Sequence, residues 1–250
     1  MPAMDYARVA DLYDLYATWE GDIPFFLEQA KGRQNVLELM SGTGRLSVPL
    51  VEAGVQLTCL DSSPAMLSIL RRKLREKGLT AQIVEADVTS FDMPGRFDLI
   101  VIPFHSFSEI LEPESQRRAL VTIRKHLSAD GRFVCTLQSP SPRLVMADGM
   151  VHVRGRFRLP RGEGTLILST VEIYDDRARL VRGTQFYEIL DSGGALREKR
   201  QMDVAFYVHT KASMENLLGE AGYRVLGFFG DYNGAEFQGD RSPFMIWVTT

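Results

Sequence analysis

Short apolar runs separated by amphipathic stretches fill the first half of the chain. The runs are Val36–Leu39, Val55–Leu60, Ile83–Val88, Phe97–Ile102 and Gly131–Leu137. Each has the length and near-continuous hydrophobicity of a strand covered on both faces. Between them the apolar period lengthens to that of a helix. One helix begins near Leu46, another follows Ser62-Ser63-Pro64, and a third runs from Glu114 to Leu127 before Ser128-Ala129-Asp130-Gly131 ends it. Pro94-Gly95 marks a turn. The order strand, helix, strand, helix, strand, strand, helix, strand predicts an α/β fold with a doubly wound parallel sheet.

After Pro140-Ser141-Pro142 the period drops to two. Val151–Leu159, Thr165–Tyr174, Ala178–Leu190 and Arg197–His209 read as four strands joined by hairpin turns such as Asp191-Ser192-Gly193-Gly194. Thr210 is placed to cap a helix over Lys211–Ala221, and Tyr223–Phe229 and Pro243–Val248 read as a closing antiparallel pair. The expected organisation is therefore a main domain from 1–140 and 210–250, with an antiparallel sheet over 141–209 inserted into it.

Candidate chemistry gathers where the strands end. The turn Ser41-Gly42-Thr43-Gly44 follows the first strand, and Asp61 ends the second, nineteen positions after Gly42. That is the spacing at which a strand-turn-helix-strand unit offers a carboxylate to a ribose. A plainer reading remains open: the glycines serve only a tight connection, and Asp61 caps a helix. Against a dinucleotide, Ser47 stands where G-x-G-x-x-G/A has its third small residue. Glu38, just before the turn, would also set a like charge beside a pyrophosphate. An acid there suits a cationic amine.

Glu38-Leu39-Met40-Ser41-Gly42-Thr43-Gly44 resembles motif I, E/D-x-G-x-G-x-G, of class I S-adenosylmethionine (SAM) methyltransferases, with Met40 in place of the first glycine. The resemblance extends over essentially the whole chain. It is closest to small-molecule N- and O-methyltransferases with an inserted β-sheet, including amino-sugar N-methyltransferases. It implies a Rossmann-like seven-stranded sheet, SAM as cofactor, and methyl transfer to an N or O atom of a small molecule. Under it, Glu38, Met40, Ser41, Gly42, Gly44 and Arg45 would surround the methionine end. Asp61 and Ser62 would meet the ribose, and Met66, Asp87 and Val88 the adenine. Ile102, Pro103, Phe104 and Phe107 would line the methyl-transfer site after the fourth strand. Asp11-Leu12-Tyr13-Asp14-Leu15-Tyr16 is similar to a helix that folds over the cofactor, which brings in Tyr13 and Trp19. Tyr6, Tyr187, Tyr232 and Arg241 are candidate substrate contacts.

His105 is the first candidate for a general base, because an imidazole titrates near neutral pH. Glu109 stands behind it as a residue expected to face solvent. A formal net charge of −3 and the lack of a dense Lys/Arg run turn the reading away from nucleic acid. Cys59 and Cys135 fall inside expected core strands, and the four histidines show no ligand spacing. No window approaches the length of a membrane span and no signal-like layout opens the chain, so the expected compartment is the cytoplasm. The expected assembly is a monomer or a homodimer. Two alternatives stay open: a SAM-binding module that has lost catalysis, kept in play by Met40, and a nicotinamide-dependent reductase.

Overall fold

A computed structural model describes residues 4–250. The elements in chain order are α1 (Ala10–Tyr16), α2 (Ile23–Ala30), β1 (Val36–Leu39), α3 (Ser47–Glu52), β2 (Leu57–Asp61), α4 (Pro64–Glu76), β3 (Gln82–Glu85), β4 (Phe97–Ile102), α5 (Pro113–His126), β5 (Leu127–Gln138), α6 (Pro140–Leu144), β6 (Asp148–Arg158), β7 (Thr165–Asp175), β8 (Leu180–Leu190), β9 (Leu196–Tyr207), α7 (Lys211–Glu220), β10 (Val225–Phe229) and β11 (Phe244–Thr249). The main sheet has seven strands in the order β10-β11-β5-β4-β1-β2-β3. Pairs β1–β2, β1–β4, β2–β3 and β4–β5 are parallel, whereas β11 is antiparallel to both β5 and β10. The chain order reverses between β1 and β4, so the crevice at their carboxyl ends is where such a sheet binds ligands.

Alternation along β1 divides the core. Leu37 and Leu39 join a cluster with Ala119, Leu120 and Ile123 of α5 and Met214, Leu217 and Leu218 of α7. Val36 points to the other face, with Leu50, Leu67, Leu70 and Leu74 of α3 and α4. Burial on both faces is why these strands read as continuous apolar runs. Ser63 accepts the Met66 N–H to cap α4, and Thr210 with Ser213 forms a reciprocal box at the start of α7.

The second sheet is the antiparallel meander β6-β7-β8-β9. Its inner face carries Leu166, Leu168, Tyr187, Ile189, Met202 and Val204, which pack on Met4, Val9 and Leu12. The N-terminal segment is thus held between this sheet and the main domain. Three boundaries differ from expectation. Hydrogen bonding of β3 stops at Glu85, leaving Asp87 and Val88 in a loop. β5 begins at Leu127, its first residues joined through an irregular register with β4. The short helix α6 falls where the sequence showed only a change of pattern. Cys59 and Cys135 are both free and buried. Among the described residues no helix is long and apolar enough to cross a membrane.

Candidate active site

Backbone strain concentrates at the carboxyl ends of β1 and β4. Met40 (φ 56°), Phe104 (φ 55°) and His105 (φ 65°) all adopt the left-handed conformation without being glycine. Strained residues of this kind persist where the surrounding structure over-determines them, commonly at ligand sites. Gly42, also left-handed at φ 55°, has open space where a Cβ would stand, so the turn leaves room above its backbone.

Asp61 ties this turn to the next helix. Its carboxylate accepts the N–H of Gly42 at 2.8 Å and of Ser63 at 2.8 Å. Burial raises its pKa, opposed by the backbone N–H groups of Ser63, Gly42 and Ser62. The spacing read from the sequence therefore has a direct geometric meaning: Asp61 closes the turn it follows. The Ser41 hydroxyl beside it is buried without a partner. Glu38 is buried at 1 % exposure and accepts the Ser47 hydroxyl at 2.6 Å. Burial pushes it up to about 8, against the pull of Ser47 and Arg45. Its carboxyl supports the turn from beneath rather than facing the crevice.

The roof is aromatic. Tyr6, Tyr13 and Tyr16 form a chain of edge-on rings, with centroids 5.9 and 5.2 Å apart. Asp14 accepts the Thr43 hydroxyl at 2.6 Å and pairs with Lys73 at 2.7 Å, which fixes α1 over the glycine turn. Under this roof lies a cavity of about 300 Å³, bounded by the tyrosines, the turn after β4, Gln138 and Arg143 after β5, and the inner face of the inserted sheet. Tyr6 donates its hydroxyl to Glu109 Oε1 at 3.0 Å. Burial pushes the Glu109 carboxyl up to about 8, helped by Asp61 and opposed by Tyr6 and Arg143.

The residues singled out from the sequence fall into distinct positions. Tyr6, Tyr13, Phe104 and His105 line the cavity. Ser41, Gly42, Gly44 and Asp61 form the adjoining turn, with Ser62 exposed beside it. Met66 is buried under Ala10, Tyr6 and Tyr13. Asp87 is exposed at the end of the crevice and accepts from the Thr89 N–H and hydroxyl, both at 2.7 Å, next to buried Val88. Ile102 and Phe107 belong to the core beneath the β4 turn, and Pro103 is buried in the turn itself.

Arg45 donates to both carboxylate oxygens of Asp22 and to the Trp19 carbonyl, so its charge is already matched. Trp19 packs on Tyr232 and Phe244. Tyr232 joins that aromatic group and lies outside the cavity, as does exposed Arg241. Tyr187 is fully buried behind the lining, sharing its hydroxyl with Tyr16 at 3.2 Å and donating to Gln185 at 2.7 Å. These three positions do not place their side chains for direct contact with an acceptor in the cavity.

His105 needs the largest revision. It stacks between Phe104 and Phe244, with centroids at 5.8 and 5.5 Å. Burial, then Arg143 and Arg45, push it down to about 3. An imidazole so hard to protonate is neutral at working pH and a poor proton acceptor. Glu109, expected to face solvent, is instead the buried titratable carboxyl of the cavity. Arg143, Gln185, Met202, Phe206 and His209 were not anticipated at all. The one local signal for Arg143 was a lone cation in the Pro-rich stretch Pro140–Leu144.

Residues 36–131, which run from β1 through the β4 turn into β5, match the family model described as a methyltransferase domain. That stretch of the chain is similar to a methyltransferase domain. The chain is 32% identical over 129 residues to a glycine/sarcosine/dimethylglycine N-methyltransferase of Actinopolyspora halophila, covering 50% of this chain and 23% of the relative. The chain spans about half or less of the length of the first curated relatives it matches, from 23% to 51%. Fold similarity extends beyond the domain. An S-adenosylmethionine-dependent methyltransferase of Clostridium acetobutylicum superposes with a TM-score of 0.79 at 18% identity, over 98% of both chains. A SAM-bound amino pentose methyltransferase of Micromonospora echinaspora gives 0.74 at 17% identity, over 97% of this chain and 96% of its own. The methyltransferase fold therefore includes the inserted sheet and the antiparallel β11.

Proposed function

We propose that the protein is a SAM-dependent methyltransferase acting on an amine nitrogen of a small molecule, with Glu109 as the proton acceptor. The observation that carries this reading is the part-buried Glu109 carboxyl, held by Tyr6, in a cavity lined by the tyrosines of the N-terminal segment. The turn fits SAM on its own features: an unpartnered Ser41 hydroxyl, open space over Gly42, and the Asp61 carboxylate at the end of β2. Asp61 would take the ribose hydroxyls, Ser41 and the Gly42 turn the methionine end, Asp87 and Val88 the adenine edge, and Tyr13 would cover the join. Glu38 and Arg45 would act indirectly, Glu38 through Ser47 and Arg45 through Asp22.

When bound, SAM supplies a methyl group made reactive by the positive sulfur that carries it. The chain's own contribution is position, exclusion of water and the handling of one proton. An amine arrives as an ammonium and must lose a proton before its lone pair is free. Glu109 Oε1 already takes the Tyr6 hydroxyl, which leaves Oε2 for the acceptor. A carboxyl near 8 lies close to working pH, the condition under which a general base is most effective. The hydroxyls of Tyr6, Tyr13 and Tyr16 are all raised by burial, so they remain protonated and serve as donors and as faces for a cation. We further read the partner as a small molecule rather than nucleic acid. The compartment is read as the cytoplasm, consistent with the free thiols of Cys59 and Cys135.

The test is titration of the purified protein with SAM, NADH and NADPH, followed by mass-spectrometric detection of S-adenosylhomocysteine with matched amines and alcohols. SAM binding with amine turnover supports the reading. Glu109→Gln is expected to lower kcat by about 10²–10⁴-fold and to remove a rising limb near pH 8 from kcat/KM. Turnover confined to alcohols, or an unchanged pH profile in Glu109→Gln, would remove Glu109 from this role. SAM binding without turnover of any acceptor would favour a degenerate binding module.

A further inference from the structure

The lining of the same cavity holds a cation whose donors are incompletely satisfied. Arg143, on α6 just after β5, has a side chain 22% exposed, while its Nε and Nη2 atoms are buried and have no hydrogen-bond partner. Its ion-pair partner is Glu172, whose Oε2 lies 3.6 Å from Nη2, beyond hydrogen-bond range. Glu172 is itself engaged by the Thr170 hydroxyl at 2.9 Å. The guanidinium carbon sits 3.7 Å from the centroid of the Phe206 ring, over its face. Arg154 lines the same cavity and repels Arg143, while Glu172 and, less strongly, Glu109 attract it.

Nε–H and Nη2–H form one edge of a guanidinium, the edge that grips a carboxylate with two parallel bonds. Elsewhere in this protein that edge is filled: Arg200 donates through Nε and Nη2 to the two oxygens of Glu198, at 2.6 and 3.3 Å. In Arg143 both atoms of that edge are buried without a hydrogen-bond acceptor, Glu172 standing beside Nη2 at ion-pair distance only. A buried guanidinium without acceptors is costly, so a ligand oxygen pair is the natural completion.

We infer that the acceptor carries, besides its amine, an anionic group with paired oxygens that docks on the Nε/Nη2 edge of Arg143. This rests on the proposed N-methylation only for the amine end; the anion subsite can be read without turnover. The acceptor class is an amino carboxylate or an amino phosphonate/phosphate, oriented with its nitrogen toward Glu109 and its anion toward Arg143. A cavity of about 300 Å³ limits the enclosed part to a small molecule.

Two measurements test it. In the first, the wild type, Arg143→Met and Arg143→Lys are heated with sodium acetate, sodium methylphosphonate or sodium chloride at equal ionic strength. Acetate or methylphosphonate should raise the wild-type Tm above chloride, and the anion that protects more identifies the oxygen geometry. Arg143→Met should lose the difference, and Arg143→Lys should keep only part, having charge without the edge. Equal behaviour of wild type and Arg143→Met, or no protection by either anion, overturns the subsite whatever the protein methylates. In the second, glycine, β-alanine, proline and aminomethylphosphonate are compared as acceptors with ethanolamine and glycine methyl ester. The anionic acceptors should be preferred, with kcat/KM falling about ten- to hundredfold in Arg143→Met, mainly through KM, while the neutral ones are unaffected. Acceptors lacking an anion that are turned over as well as those bearing one, with both equally sensitive to Arg143, overturn it too.

Discussion

Replacing Met40 separates backbone strain from side-chain packing at the most unusual position of the glycine turn. Met40 sits at φ 56°, a conformation that costs a non-glycine residue about 1–2 kcal/mol. Its half-buried side chain packs on the core cluster that contains Leu37 and Leu39. Full burial of a Met is worth about 1.5–3 kcal/mol, so partial burial contributes about 1–1.5 kcal/mol. Met40→Ala loses that packing and keeps the strain, so it should destabilise by about 1–1.5 kcal/mol. Met40→Gly loses the same packing and adds about 0.5–1 kcal/mol of chain entropy, but it recovers the strain. The net change for glycine is thus small, a loss of about 0.5 kcal/mol within bounds of about 0.5 gained and about 1.5 lost, and glycine should be more stable than alanine. Urea unfolding of the three proteins, compared at a common slope, measures the order directly. Alanine as stable as glycine, or more so, would refute the left-handed backbone at position 40. Because the side chain packs inward, Met40→Gly should also leave the SAM dissociation constant within about twofold. Tightening by about tenfold or more would mean that the thioether occupies cofactor space.

Two further outcomes follow from the carboxylates of the site. Glu38 has a folded value raised to about 8 against 4.5 for the free side chain, so its favourable contribution is complete below about pH 4 and is lost as pH rises through 8. At about 1.4 kcal/mol per unit, the stability gap between Glu38→Gln and wild type should move by about 3–5 kcal/mol toward the variant from pH 5 to pH 9; a gap independent of pH in chemical denaturation would refute the buried, raised carboxyl. Asp61→Ala orphans the N–H groups of Gly42 and Ser63 and removes the proposed ribose contact, so calorimetry should record a loss of SAM affinity of about 30-fold or more; affinity unchanged in a folded Asp61→Ala protein would remove Asp61 from the site.

The fold was legible wherever local pattern and burial coincide. Strands β1, β2, β4 and β5 are covered on both sides by helices, and that double covering wrote continuous apolar runs into the sequence. The inserted meander is covered on one face only, and its period of two, with outward Val151, Val153 and Ile173, marked it as a separate sheet. The glycine turn and Asp61 were legible because both lie within one strand-helix-strand unit, where spacing alone fixes geometry. The helix α6 was not, since five residues containing two prolines carry no usable period.

The chemistry of the cavity lies beyond local pattern because it is made by contacts distant in sequence. Glu109 is buried by Tyr6, 103 residues earlier, and Arg143 by Phe206 and Glu172 on strands that follow it. Neither partnership leaves a trace in the residues around it, so a carboxyl that looked solvated became the titratable group of the site. The reverse happened to His105, whose ordinary titration near neutral pH was cancelled by two aromatic faces and by burial beside two arginines. Each of these reversals depends on the inserted sheet or the N-terminal segment closing over the β4 turn. The catalytic identity of a residue here is therefore a property of the roof as much as of the residue. Glu109 and Arg143 line one cavity because the chain leaves the main sheet twice, after β4 and after β5, beneath the same cover.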